Sequence, residues 1–224
     1  MHAAVELGPV RTARRQAVLW DLDGTLVDTS RDIAAAIQRV RAGDGLPALP
    51  LAEVLGMVGD GMELLLSRAL APIPVEERHR DAFIRAYGDG CDRDSPPYDG
   101  IITALSRIHA MGWAQGVVTN KPGLFTDRII QAAGIARFLP VVVAGDGVRK
   151  PDPAPVLAAL RRLGIPAEHA WMVGDHRTDL AAGAAAGCRT VFCTWGFGRR
   201  DGLPADAIAG EPLEVLRAIG VACP

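Results

Sequence analysis

Aromatic residues make up only 5% of the 224-residue chain, so its core has to be built from aliphatic side chains. Cysteine is sparse as well. Cys91, Cys188, Cys193 and Cys223 form no CxxC pair, which argues against a zinc knuckle, a redox dithiol or a disulfide framework. No apolar run is long enough to span a membrane, and residues 1–16 lack the apolar stretch of a secretory signal. A cytoplasmic protein with no membrane partner is expected. Neither charge sign dominates: 24 basic against 26 acidic residues give a net charge of −2, with no broad positive field to hold nucleic acid. The basic cluster Arg11, Arg14 and Arg15 reads as a solvated tail. His2, His79, His109 and His169 form no HxH or HxxxH pair and read as surface or core-edge residues.

What is present is a rhythm. Short apolar runs at 17–20, 116–118, 141–143, 171–173 and 190–193 end in small or polar residues. Each is too short for a helix and most are β-branched, as buried parallel strands are. Helical patterns at 101–111, 124–133, 155–163 and 178–186 separate the later runs. Gly164 and Gly187 stand where helix C-caps fall. The expected fold is α/β, a doubly wound parallel sheet with a Rossmann-like core. Residues 30–95 break the rhythm, with helical patterns at 31–41, 62–70 and 76–87 punctuated by Pro47, Pro50, Pro72 and Pro74. An all-helical cap is therefore expected over 29–96, inserted into a discontinuous core of 1–28 and 97–224.

Ligands of such a sheet gather at the carboxyl ends of its strands. Residues 20–29 read WDLDGTLVDT, which puts Asp21 and Asp23 at the end of the first strand. Thr119, Asn120 and Lys121 follow the second strand, Lys150 lies in the loop after the third, and Asp175 and Asp179 follow the fourth. Converging carboxylates repel one another, and a Mg²⁺ ion with oxygen ligands offsets that. A phosphoryl group beside the metal then needs charge from Lys150, a hydroxyl from Thr119 and backbone N–H groups around Leu22, Gly24 and Asn120. Asp21, ionised at the metal, can attack phosphorus. Asp23, two residues on and facing the same way, can protonate the leaving oxygen and later take a proton from water.

The segments DLDGT (21–25), VVTN (117–120), KPDP (150–153) and GDHRTD (174–179) resemble the four motifs of the haloacid dehalogenase-like superfamily of phosphatases, and the likeness runs from Val18 to about Gly198. The resemblance implies Asp21 as nucleophile and metal ligand, and Asp23 as acid/base and metal ligand through its carbonyl. It implies Thr119 and Lys150 on the phosphoryl group, Asp175 on the metal, and Asp179 orienting metal water or Lys150. The helical insertion resembles that superfamily's first type of cap. The strings VVTNKP (117–122), MVGDGMELLLSRAL (57–70) and VGDHRTDLAAGAAAGC (173–188) resemble the phosphoglycolate phosphatase branch, as does WGFG (195–198). A small phosphorylated substrate is implied, 2-phosphoglycolate first. Alternatives are N-acetylmuramic acid 6-phosphate, another sugar phosphate or pyrophosphate, then a β-phosphoglucomutase-like mutase or a non-catalytic binding relative. A monomer or homodimer is expected. The branch's basic residue before the cap's GxG is missing from Val54–Leu55–Gly56–Met57–Val58, which leaves Arg68, Arg93 or Lys121 to meet a substrate carboxylate. His176 reads as a loop histidine rather than a metal ligand, and Trp195 as the tryptophan to watch beside the site.

Overall fold

The computed structural model describes residues 15–221; Arg11, Arg14, His2 and Cys223 lie outside that range. Among the described residues, six strands form one parallel sheet in the order β3-β2-β1-β4-β5-β6. They are β1 Ala17–Trp20, β2 Ala114–Val118, β3 Val141–Val143, β4 Ala170–Gly174, β5 Arg189–Cys193 and β6 Ala207–Ala209. The register Ala17↔Ala114 and Ala17↔Ala170 aligns β1 with both neighbours from its first residue. All four β1 residues and all five β4 residues are buried, so these strands are apolar throughout instead of alternating. β6 has no counterpart among the expected strands. It is a three-residue edge with Ile208 55% exposed, too short to leave an apolar run.

The helices after β2 fill the crossovers: α6 Gly123–Ala132, α7 Ala154–Leu163 and α8 Arg177–Ala186. Helices α5 Ile101–Ala110 and α9 Pro212–Ala218 flank the sheet as well. Gly164 and Gly187 end α7 and α8 in the left-handed conformation that a C-cap requires.

Between β1 and β2 stand α1 Ser30–Gly43, α2 Leu51–Leu55, α3 Met62–Leu70 and α4 Glu77–Gly88. The five-residue α2, just after Pro50, was too short to show a period. Ile33, Ile37 and Val40 of α1 form the buried stripe that their spacing implies. They join Leu65, Leu66 and Phe83 in the same apolar cluster as Trp20 and Val173. Buried Arg41 ties the hairpin between α1 and α3: its guanidinium donates to the carbonyls of Pro47 and Ala69. The two chain segments that lead into and out of this helical stretch run side by side. Asp28 N–H donates to the Pro96 carbonyl and Tyr98 N–H to that of Leu26, and the two bonds together form the antiparallel Val27–Pro97 bridge beside the end of β1.

Candidate active site

The strand order reverses direction between β1 and β4, which opens a crevice at their carboxyl ends. Asp21 leaves β1 there and Asp175 leaves β4. One oxygen each of Asp21, Asp175 and Asp179 lies within 4.8 Å of the others, and all three side chains are buried. Lys150 is the cation among them. Its Nζ donates to Asp179 Oδ1 at 2.6 Å and to the Val118 carbonyl at 2.6 Å, and stands 2.9 Å from Asp21 Oδ1.

Burial sets the electrostatics. Asp21 is pushed up from 3.8 to about 6, first by loss of water and then by the Asp179 charge, with Lys150 pulling the other way. Asp175 is raised well above the ordinary carboxylate range by burial, then by Asp21 and Asp179, although the Gly198 N–H and Thr25 hydroxyl partly offset this. Burial alone would lower Lys150, but Asp179 and Asp21 more than compensate and raise it. Three acids around one lysine therefore leave negative charge unbalanced in a dry site. The surplus, offered entirely by oxygen donors, fits a hard divalent cation.

Asp175 is seated by a shell that its own motif does not reveal. Phe197 N–H and Gly198 N–H donate to its Oδ2 at 3.1 and 2.7 Å, and the Thr25 hydroxyl to its Oδ1 at 3.2 Å. Gly24 and Gly196 allow this approach: a Cβ on either would lie 2.2 or 2.3 Å from Asp175 Oδ2, and Gly24 also holds φ +80°. Trp195 Nε1 donates to the Thr25 carbonyl at 3.0 Å, which folds the WGFG segment onto the first loop. That string stood out in the sequence, but only its folding shows that its backbone N–H groups serve Asp175.

Asp23 lines the cleft beside Asp21. It accepts from the Thr29 hydroxyl at 2.6 Å and from Lys121 Nζ at 2.8 and 3.1 Å. Both partners escaped sequence reasoning as neighbours of Asp23; the lysine is 98 residues away. The Leu22 N–H donates to Asp21 Oδ1, and the Gly24 N–H to the Val27 carbonyl. Thr119, at the end of β2, is buried on the cleft wall, and its Oγ1 accepts from the Lys121 N–H. The Asn120 side chain clamps two loops. It accepts from the Lys150 N–H and donates to the carbonyls of Lys150 and Gly59.

Asp179 both orients and caps. It receives Lys150 on Oδ1 and the His176 N–H on Oδ2, in the capping box that starts α8. His176 is the N-cap itself, with Nδ1 2.9 Å from the Thr178 hydroxyl, and burial lowers its ring below the usual value. Gly59, at φ +115°, sits against that ring, where an added Cβ would come within 2.8 Å. With the Asn120–Gly59 bond, this seats the α2–α3 loop directly on the strand ends. Asp60 of that loop reaches Arg177 at the start of α8 (2.8 Å) and Arg68 of α3 (2.7 Å), and these partners hold its carboxyl low despite burial.

Known proteins resemble this chain over almost its whole length. The N-acetylmuramic acid 6-phosphate phosphatase of Pseudomonas aeruginosa is 36% identical over 216 residues, covering 92% of this chain and 96% of that protein. A plasmid phosphoglycolate phosphatase of Cupriavidus necator is 37% identical over 213 residues, covering 91% and 92%. The crystal structure of a predicted phosphoglycolate phosphatase from Haemophilus somnus superposes with a TM-score of 0.82 at 27% identity, covering 92% of this chain and 98% of that one. The family model for haloacid dehalogenase-like hydrolases matches residues 18–193, and the chain belongs to that family, in its phosphoglycolate phosphatase-like branch.

Proposed function

We propose that the protein hydrolyses phosphomonoesters through an aspartyl-phosphate on Asp21, with Mg²⁺ as cofactor. One arrangement carries this reading: the Asp21 carboxylate at the β1 end, gripped by Lys150 and set beside Asp175 and Asp179. Asp21, Asp175 and the carbonyl of Asp23 would hold the metal, with Asp179 orienting Lys150. Bound there, the ion supplies positive charge to the phosphoryl oxygens.

The chain's own residues do the rest. Lys150 and Thr119 take the phosphoryl oxygens, helped by the backbone N–H groups of Asp23 and Asn120; those of Leu22 and Gly24, expected to join them, are engaged by Asp21 Oδ1 and the Val27 carbonyl. Asp21 Oδ attacks phosphorus as the ester P–O bond breaks, and Asp23 gives its proton to the leaving oxygen. Water then attacks the phosphorus, Asp23 takes the water's proton, and the bond to Asp21 breaks to release phosphate. Residues 29–96 serve as a cap on a core made of 1–28 and 97–224, with Gly59 of the cap close beside the His176 ring.

The relatives' names bring 2-phosphoglycolate and N-acetylmuramic acid 6-phosphate as first substrates to try. Phosphate release should depend on Mg²⁺, stop with EDTA and stop in Asp21→Asn. Turnover that survives EDTA or the substitution would overturn the reading.

A further inference from the structure

A narrow cleft with an open mouth lies above Asp21. Its walls away from the carboxylates are apolar: Ile33 of α1, Met62 and Leu65 of α3, Phe83 and Tyr87 of α4, and Phe125 of α6. Tyr87 stacks on Phe83 at 5.4 Å and meets Phe125 edge-on at 4.8 Å, so the aromatic wall is continuous. Apart from Lys150 at the carboxylates, and with Arg149 tied to the Gly145 carbonyl behind Gly61 at the rim, Lys121 is the one lysine or arginine lining the cleft among the described residues, and its charge is already taken. Its ammonium donates to both Asp23 oxygens and lies 4.6 Å from the Tyr87 ring centre, with the side chain 5% exposed. The other cations named above as partners for a substrate carboxylate are placed elsewhere. Arg68 is bound to Asp60 and the Met57 carbonyl on the neighbouring rim, and Arg93 to the Asp89 carbonyl. A carboxylate entering the cleft would have to displace Asp23 from Lys121, whereas an apolar body would only displace water from apolar walls.

Resting on the phosphatase reading, we propose that this cleft selects phosphate esters of uncharged alcohols that carry an apolar body, with Met62, Leu65, Phe83 and Tyr87 as the specificity-determining side chains. A leaving group with a carboxylate beside the ester, such as that of 2-phosphoglycolate, is the poorer fit.

The test is kcat/KM for ethyl, butyl and hexyl phosphate alongside 2-phosphoglycolate, with Mg²⁺, in wild type and in Met62→Lys. The alkyl esters share nearly equal leaving groups, so their differences report burial. Each added methylene should raise kcat/KM about threefold to fourfold until the walls are filled. Hexyl phosphate should exceed 2-phosphoglycolate, and Met62→Lys, on the half-buried first residue of α3, should reduce that ratio at least tenfold. A flat alkyl series, or 2-phosphoglycolate ahead of hexyl phosphate in wild type, overturns the inference and leaves the phosphatase reading standing. If no ester turns over, the phosphatase reading fails, and calorimetric affinity of the same series for the wild-type protein decides the inference: affinity rising with chain length supports it, and uniform affinity overturns it.

Discussion

Asp21→Asn should abolish turnover and, in the absence of metal, make the protein more stable. The carboxylate is raised from 3.8 to about 6 by burial and by Asp179, even with Lys150 alongside. A carboxyl whose folded-state value lies above its unfolded value holds its proton more tightly when folded, so its ionisation works against the fold. At about 1.4 kcal/mol per unit, the cost at pH 7 is about 3 kcal/mol. The neutral amide escapes that cost. Lys150 keeps Asp179 and the Val118 carbonyl as partners, so it is not stranded. For a chain of this length each kcal/mol moves the melting temperature by about 2–4 °C, which gives a rise of about 6–12 °C in EDTA. The pH profile carries the sign. The variant's advantage should be absent below 3.8, grow as pH rises and be complete above about 6. Adding Mg²⁺ at pH 7 should shrink the gap, because wild type gains about 2.7 kcal/mol at a metal concentration of 100 Kd. Thermal denaturation in EDTA between pH 4 and 8, repeated with Mg²⁺, makes the measurement. A variant no more stable than wild type at pH 7, or equally advantaged at pH 4, would refute the picture of an unbalanced carboxylate cluster.

Lys150→Met removes the one cation among the described residues that touches both Asp21 and Asp179, and should destabilise by about 3–5 kcal/mol as well as stop turnover, read by urea denaturation and phosphate release. Gly24→Ala forces a Cβ to within 2.2 Å of Asp175 Oδ2 at φ +80°, and should cost about 1–3 kcal/mol of stability along with Mg²⁺ affinity, read by calorimetry. Gly59→Ala presses on the His176 ring; it should raise KM several-fold and speed limited proteolysis between α2 and α3, with little change in global stability. Asp60→Ala frees Arg177 and Arg68, both partly exposed, so its stability cost should stay within about 1 kcal/mol while the same proteolytic signature appears.

Local chemistry was legible in the sequence because it is local. An apolar run ending at Asp21, another ending at Thr119 and a third ending at Gly174 each specify a buried parallel strand with a polar tip. Parallel strands in one sheet bring all such tips to one rim, so the motif order sufficed to place Asp21, Asp23, Thr119, Lys150 and Asp175 together. The glycines at 164 and 187 announced helix ends because only a residue without Cβ takes that conformation cheaply. Short elements without a period, α2 and β6, left no such trace.

Partner choice across the chain was decided only by folding. Nothing near Asp23 pointed to Lys121, and nothing near Asp175 pointed to the N–H groups of Phe197 and Gly198; for Asp179 the resemblance offered metal water or Lys150, and only the fold shows it holding Lys150 and the cap of its own helix together. Those pairings depend on how the crossovers set one loop against another, and contacts of long sequence separation have no periodic signature. The same holds for the cleft. Each apolar residue of α1, α3 and α4 reads from sequence as core, and only the seating of the α2–α3 loop on the strand ends turns Met62, Leu65, Phe83 and Tyr87 into walls around Asp21. The sequence by itself determined the strands, the motifs and the oxygen-rich chemistry; the tertiary structure decided which charges meet and what shape of molecule can reach them, because charge pairing and cavity shape arise from the packing of distant segments.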